Sequence, residues 1–173
     1  MNNKNPFIYS DDNKRYHTLN YYNKSSFNSK VFKAVIDAGF TCPNKDGTKG
    51  TGGCIYCMGG SGYFTEKSNG EIYDSVKRQL AAEKERINKK HPDSLITAYF
   101  QANTNTYAPV ATLKEAYTAA LDFGVHGISI GTRADCLPDD VIALLCDINS
   151  KTHLTVAVSY THLRAHETGA YLV

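Results

Sequence analysis

No stretch of the 173-residue chain approaches the ~18 consecutive apolar residues of a membrane span. Residues 1–15, MNNKNPFIYSDDNKR, are polar and lack the apolar stretch of a secretion signal, so the expected compartment is the cytoplasm and no membrane partner is expected. An excess of one charge sign is also missing. Nineteen Lys and Arg against 17 Asp and Glu leave +2, too little to argue for a nucleic-acid or membrane partner by charge. With 42% hydrophobic and 21% charged residues, the chain is neither disordered nor fibrous in composition, and its length suits one domain or one and part of a second.

Cysteine is the informative residue. Five is an odd number, and a reducing cytosol argues against a disulfide framework, so spacing matters more than count. Cys42, Cys54 and Cys57 crowd into one glycine-rich stretch, whereas Cys136 and Cys146 lie far downstream.

Residues 1–15 show no sustained period and are expected to form a flexible arm. Tyr16, Leu19, Tyr21, Tyr22 and Phe27 then suggest a turn or two of helix packed on the body. Residues 30–40 alternate as a strand ending at Gly39, and residues 41–62 fit no regular element. A loop of that length in a compact domain usually carries function. Residues 72–90 have the apolar spacing of an exposed amphipathic helix, with Pro92 beyond its end. A buried strand over 94–102, a helix over 112–123, a strand over 125–130, a helix beginning at Pro138 and a strand over 152–158 follow. Cys146 falls on that last helix and reads as core.

The alternation of strands and helices predicts an α/β fold with a parallel sheet and right-handed crossovers. In such sheets the functional face lies at the carboxyl ends of the strands. Three irregular polar segments fall there: the cysteine loop, 101–107 and 132–136.

The cysteine spacing is C-x11-C-x2-C. Two thiolates two residues apart can bind one metal centre, and the glycines allow a third to join them. Structural zinc normally takes four ligands, and His17 and His91 lie far off in sequence. Buried thiols, or a zinc knuckle completed by a distant residue, remain alternatives. The favoured reading is a four-iron cluster on three thiolates, with one iron free for a small molecule, the arrangement by which S-adenosyl-L-methionine serves as a radical source.

The phrases RYHTLNYY, DAGFTCPNKDGTKGTGGCIYC, AYFQANTNTYAP and GISIGTRADCLPD resemble the YhcC/YtqA-like radical SAM proteins, relatives of the Elongator-type radical SAM subunit. The likeness spans residues 16–156, and four motifs in order make it specific. It implies a partial radical SAM (βα)6 TIM-like barrel, here truncated after about four βα units. It implies that Cys42, Cys54 and Cys57 ligate a [4Fe-4S] cluster and are the catalytic residues. S-adenosyl-L-methionine would chelate the open iron, with Tyr56 near its adenine. Gln101, Thr104 and Asn105 would meet its amino group, and Thr132 and Arg133 its carboxylate or ribose. The implied chemistry is reductive cleavage to a 5′-deoxyadenosyl radical that abstracts hydrogen from substrate. The implied partners are a reductant such as flavodoxin or ferredoxin, and tRNA carrying a modified wobble uridine. Asn103 stands where relatives usually have an aromatic residue, and Ala134 where they usually have proline. Cys136 is outside the ligand set and reads as a packed thiol near the rim.

The core is thus expected over residues 16–158. Residues 159–173 resemble translated sequencing adaptor and are expected to be an artefactual tail. His162, His166 and Glu167 do not form a zinc-helix motif, because the glutamate lies outside the histidine pair. With the barrel truncated, the fourth strand is expected to be an exposed edge, and the chain to be poorly soluble and nearly inactive. The rival function is a zinc-stabilised RNA-binding module without catalysis, using Lys30, Lys45 and Lys49 on phosphates.

Overall fold

The structure, a computed structural model, describes residues 14–54, 70–101 and 103–158. The element order is α1 (Leu19–Phe27), β1 (Val31–Ile36), α2 (Ile72–Asn88), β2 (Leu95–Phe100), α3 (Val110–Phe123), β3 (Gly127–Thr132), a 3-10 turn (Ala134–Cys136), α4 (Asp139–Asn149) and β4 (His153–Val158). The four strands form one parallel sheet in the order β1-β2-β3-β4. Every connection steps one strand in the same direction, so right-handed crossovers gather the helices on one face. Accordingly α2 packs on β1 and α3, and α3 packs on α4.

Strand register builds the core. Ala34, Ala98, Ile128 and Leu154 make one row across the sheet, and Ile36, Phe100, Ile130 and Val156 the next. The first three members of each row are fully buried beneath the helices, against Val76, Leu80, Leu113 and Tyr117. Cover fails at the fourth strand: Val156 is 38% exposed, and β4 is an edge among the described residues, as expected.

Local chemistry sets the boundaries. Thr18 caps α1 by accepting from the Tyr21 N–H, and Asn28 ends it in the left-handed conformation (φ 51°). Gly124 ends α3 at φ 80°. The first strand stops at Ile36, short of the expected Gly39. The Gln79 carboxamide takes both backbone groups of Asp37, accepting from its N–H at 2.9 Å and donating to its carbonyl at 2.8 Å. A glutamine from α2 thus replaces the next ladder bonds.

Two expectations need correction. Cys146 is exposed, one position past the buried face of Val141, Leu144, Leu145 and Ile148. The aromatic segment is only partly packed: Phe27 sits 4.3 Å from the His126 ring centroid, whereas Tyr16 and Leu19 are exposed. The expected arm over 1–13, and the expected tail over 159–173 with His162 and His166, lie outside the described residues.

Candidate functional site

At the carboxyl ends of β1, β2 and β3, three loops meet and are bonded to one another. The cysteine loop meets the loop after β2 where the Thr104 N–H donates to the Thr41 carbonyl (3.2 Å) and the Asn103 carboxamide donates to the Phe40 carbonyl (2.7 Å). Lys45 Nζ donates to Asn103 Oδ1, and Thr48 shares a hydroxyl bond with Tyr107. The loop after β2 is fastened to β3 because both the backbone and side-chain N–H of Asn105 donate to the Gly131 carbonyl at 3.0 Å. Thr106 bonds the Thr132 hydroxyl and donates to the Cys136 carbonyl. Lys49 closes the ring of contacts by pairing with Asp135.

Asn103 has φ 60°, a conformation asparagine tolerates and an aromatic residue adopts only under strain. From that position its side chain bonds Phe40 and Lys45.

The cysteine loop is wound back on itself. The Cys42 carbonyl accepts from the N–H groups of Lys45 (2.8 Å) and Asp46 (3.1 Å), and the Gly53 N–H donates to the Asn44 carbonyl (2.9 Å). Gly53 has φ 78°, a left-handed conformation that favours glycine, and its open side leaves room for the Lys45 side chain. This returning path brings Cys54 back to the turn at Cys42. Cys42 is buried, Cys54 is half-buried, and the Asn44 carboxamide donates to the Cys54 sulfur at 3.3 Å. Cys57 and Tyr56 lie outside the described residues. Among the described residues, no three His, Cys, Asp or Glu side chains group as a metal site.

Thr104, Asn105, Thr132 and Arg133 are all buried on this rim, whereas Gln101 is exposed. The Arg133 guanidinium grips Asp135 through two bonds, Nε to Oδ1 and Nη2 to Oδ2, each 2.8 Å. That grip holds the Asp135 carboxyl well below the usual carboxylate range. Among the described residues three buried side-chain polar atoms have no partner, and two of them lie on this rim: the third guanidinium nitrogen, Nη1 of Arg133, and the carboxamide oxygen, Oδ1 of Asn105; the other is His126 Nε2. Cys136 is the packed rim thiol the sequence suggested, pushed up to about 11 chiefly by burial. Beside these loops opens a cleft of about 780 Å³, walled by Pro43, Tyr107, Pro109, Leu137 and the Lys49–Asp135 pair.

Asn44, Asp135 and Tyr117 were not singled out as site residues from the sequence, and Lys45 and Lys49 were considered only as phosphate contacts of the RNA-binding alternative. Asp135 had a visible signal, lying two residues from Arg133 in a polar run. Tyr117 had none; it is a fully buried α3 residue whose hydroxyl donates to the Asn105 carbonyl. Of the lysines considered for phosphate contacts, Lys45 and Lys49 are engaged within the rim and Lys30 is exposed.

With this geometry fixed, sequence comparison places the chain. It is 46% identical to protein YtqA of Bacillus subtilis over 175 aligned residues, covering 100% of this chain and 52% of YtqA. It is 38% identical to YhcC of Escherichia coli K12, over 70% of this chain and 37% of YhcC, and 36% identical to MJ0486 of Methanocaldococcus jannaschii, over 73% and 38%. The chain is a homologue of these proteins. It spans about half the length of YtqA or less of the others, and none of the three names states an activity. No family model matches the chain, and no solved structure matches it.

As far as the described residues reach, the rim carries donors of the kinds that the group implied by the cysteine spacing would use. Two thiols share one tightly wound loop, an amide donor faces one of them, and an unsatisfied N–H and an unsatisfied carboxamide oxygen are held ready on adjoining loops. A carboxylate suits the first and an ammonium the second.

Proposed function

We propose that this chain is part of a radical SAM enzyme, with Cys42, Cys54 and Cys57 holding a [4Fe-4S] cluster. When bound, the cluster would supply the electron for reductive cleavage of S-adenosyl-L-methionine, the source of a radical for hydrogen abstraction from substrate. Arg133 Nη1 donates to the carboxylate of the methionine moiety. Asn105 Oδ1 accepts from its ammonium, and Thr104 and Thr132 flank the pair. Asp135 and Lys49 hold the guanidinium in place, and the Asn105–Gly131 bonds hold the carboxamide. The resemblance extends the proposal to a modified wobble uridine of tRNA as substrate, and to flavodoxin or ferredoxin as electron donor. The further βα units of a TIM-like barrel belong to the same proposal.

The observation that supports this reading most is the buried, unpartnered pair Arg133 Nη1 and Asn105 Oδ1 beside a two-thiol loop. Each orphaned polar group costs about 1–3 kcal/mol unless a ligand meets it. Anaerobic reconstitution of the full chain with iron and sulfide tests the proposal. The expected result is a brown chromophore that Cys42→Ser, Cys54→Ser and Cys57→Ser each abolish, and an EPR signal that changes on adding S-adenosyl-L-methionine. One tightly bound zinc and no chromophore would overturn it.

A further inference from the structure

We infer that Asn44 is a positioning residue for the sulfur centre, orienting Cys54 and tuning it through an N–H···S hydrogen bond. The inference rests on the cluster reading above and concerns how the chain adjusts that centre.

The Asn44 carboxamide lies 3.3 Å from the Cys54 sulfur, and the backbone around it fixes its direction. Its own carbonyl accepts from the Gly53 N–H at 2.9 Å, one residue before Cys54, so donor and sulfur are carried by two chain segments bonded to each other. The turn is secured again at Pro43, whose carbonyl accepts from the N–H groups of Lys49 (2.8 Å) and Gly50 (3.2 Å). The neighbouring ammonium of Lys45 is directed to Asn103 on the loop after β2. The contact to Cys54 described here is therefore a neutral amide donor held by a rigid turn.

An N–H donor withdraws electron density from a thiolate, and hydrogen bonds to the sulfurs are among the factors that set an iron–sulfur potential. Such a bond stabilises the more negative, reduced state of the centre, so its removal makes the midpoint potential more negative. Replacing the donor by a carboxylate sets negative charge against the sulfur and lowers the potential further. A residue that only shaped the loop would change cluster retention without this order.

The experiment is an anaerobic redox titration of the reconstituted chain, followed by EPR, for wild type, Asn44→Ala, Asn44→Asp and Asn44→Gln. The expected order of midpoint potential is wild type, then Asn44→Ala, then Asn44→Asp, with Asn44→Gln nearer wild type than Asn44→Ala because its carboxamide still donates. Equal potentials in wild type and Asn44→Ala would overturn the inference and leave the cluster reading standing. A wild-type chain that assembles no cluster is the separate failure of the cluster reading, and the inference falls with it. If Asn44→Ala does not retain the cluster, Asn44→Gln decides: retention at a near-wild-type potential supports the tuning role, and loss of the cluster there overturns it.

Discussion

Asp135 is held by two cations of unequal burial, and this inequality yields a quantitative prediction for Asp135→Asn. The Arg133 side chain is 7% exposed and that of Asp135 15%, whereas Lys49 is 46% exposed. Removing the carboxylate charge leaves the guanidinium buried without its counter-ion. Breaking a buried pair typically costs 3–5 kcal/mol, and the residual exposure of Asp135 puts this one near the lower end, about 3 kcal/mol. Lys49→Ala removes only a partly solvated partner and should cost at most about 1 kcal/mol. Urea unfolding followed by far-ultraviolet circular dichroism reads both. With a slope of about 2 kcal/mol per molar, Asp135→Asn should lower the midpoint by about 1.5 M and Lys49→Ala by less than about 0.5 M. The carboxyl is depressed in the folded state, so its contribution is complete above the unfolded value of 3.8 and fades as pH falls toward the lower folded value. The asparagine variant should therefore show a flatter acid limb. Equal losses for the two variants, or under about 1 kcal/mol for Asp135→Asn, would refute the assignment of the stabilisation to the buried Arg133 fork.

Tyr117→Phe should cost about 1–3 kcal/mol in thermal or urea unfolding, because it deletes the hydroxyl that donates to the Asn105 carbonyl and leaves the ring packed on Phe100. Gly127→Ala should cost about 1–3 kcal/mol and loosen β4, seen as faster amide exchange over residues 153–158, since its Cβ would fall 2.7 Å from the His153 carbonyl oxygen. His126 is held below its ordinary value of 6.5, first by burial and then by the neighbouring His153. A depressed histidine contributes stability above its unfolded value, and that contribution is lost as pH falls through the lowered folded value. His126→Gln should accordingly flatten the decline in stability between about pH 7 and pH 5.

The strands and helices were legible because burial imposes a period on the sequence. Ala34, Ile36, Ala98, Phe100, Ile128 and Ile130 alternate toward the helix layer, and Val141, Leu144, Leu145 and Ile148 repeat along one helix face. Boundaries were less legible because they depend on partners distant in sequence. The end of β1 is decided by Gln79, 42 residues away. Cys146 misled because a small apolar residue beside a buried stripe looks like part of it. The rim was legible as a place, since chain order puts the polar loops at the strand ends. Its wiring was not, because the pairs Asn44–Cys54, Lys45–Asn103 and Lys49–Asp135 follow from how a glycine-rich loop folds back, and no periodicity encodes that.

The wiring changes the meaning of the two orphaned atoms. An isolated buried atom without a partner can be relieved by a small side-chain rotation, and so says little about a ligand. Arg133 cannot rotate freely without surrendering its bonds to Asp135, and Asn105 cannot without surrendering its side-chain bond to Gly131. The Tyr117 hydroxyl holds the Asn105 backbone from behind. The neighbouring bonds thus oppose the motion that would satisfy Arg133 Nη1 and Asn105 Oδ1, so both groups stay unsatisfied at the same rim.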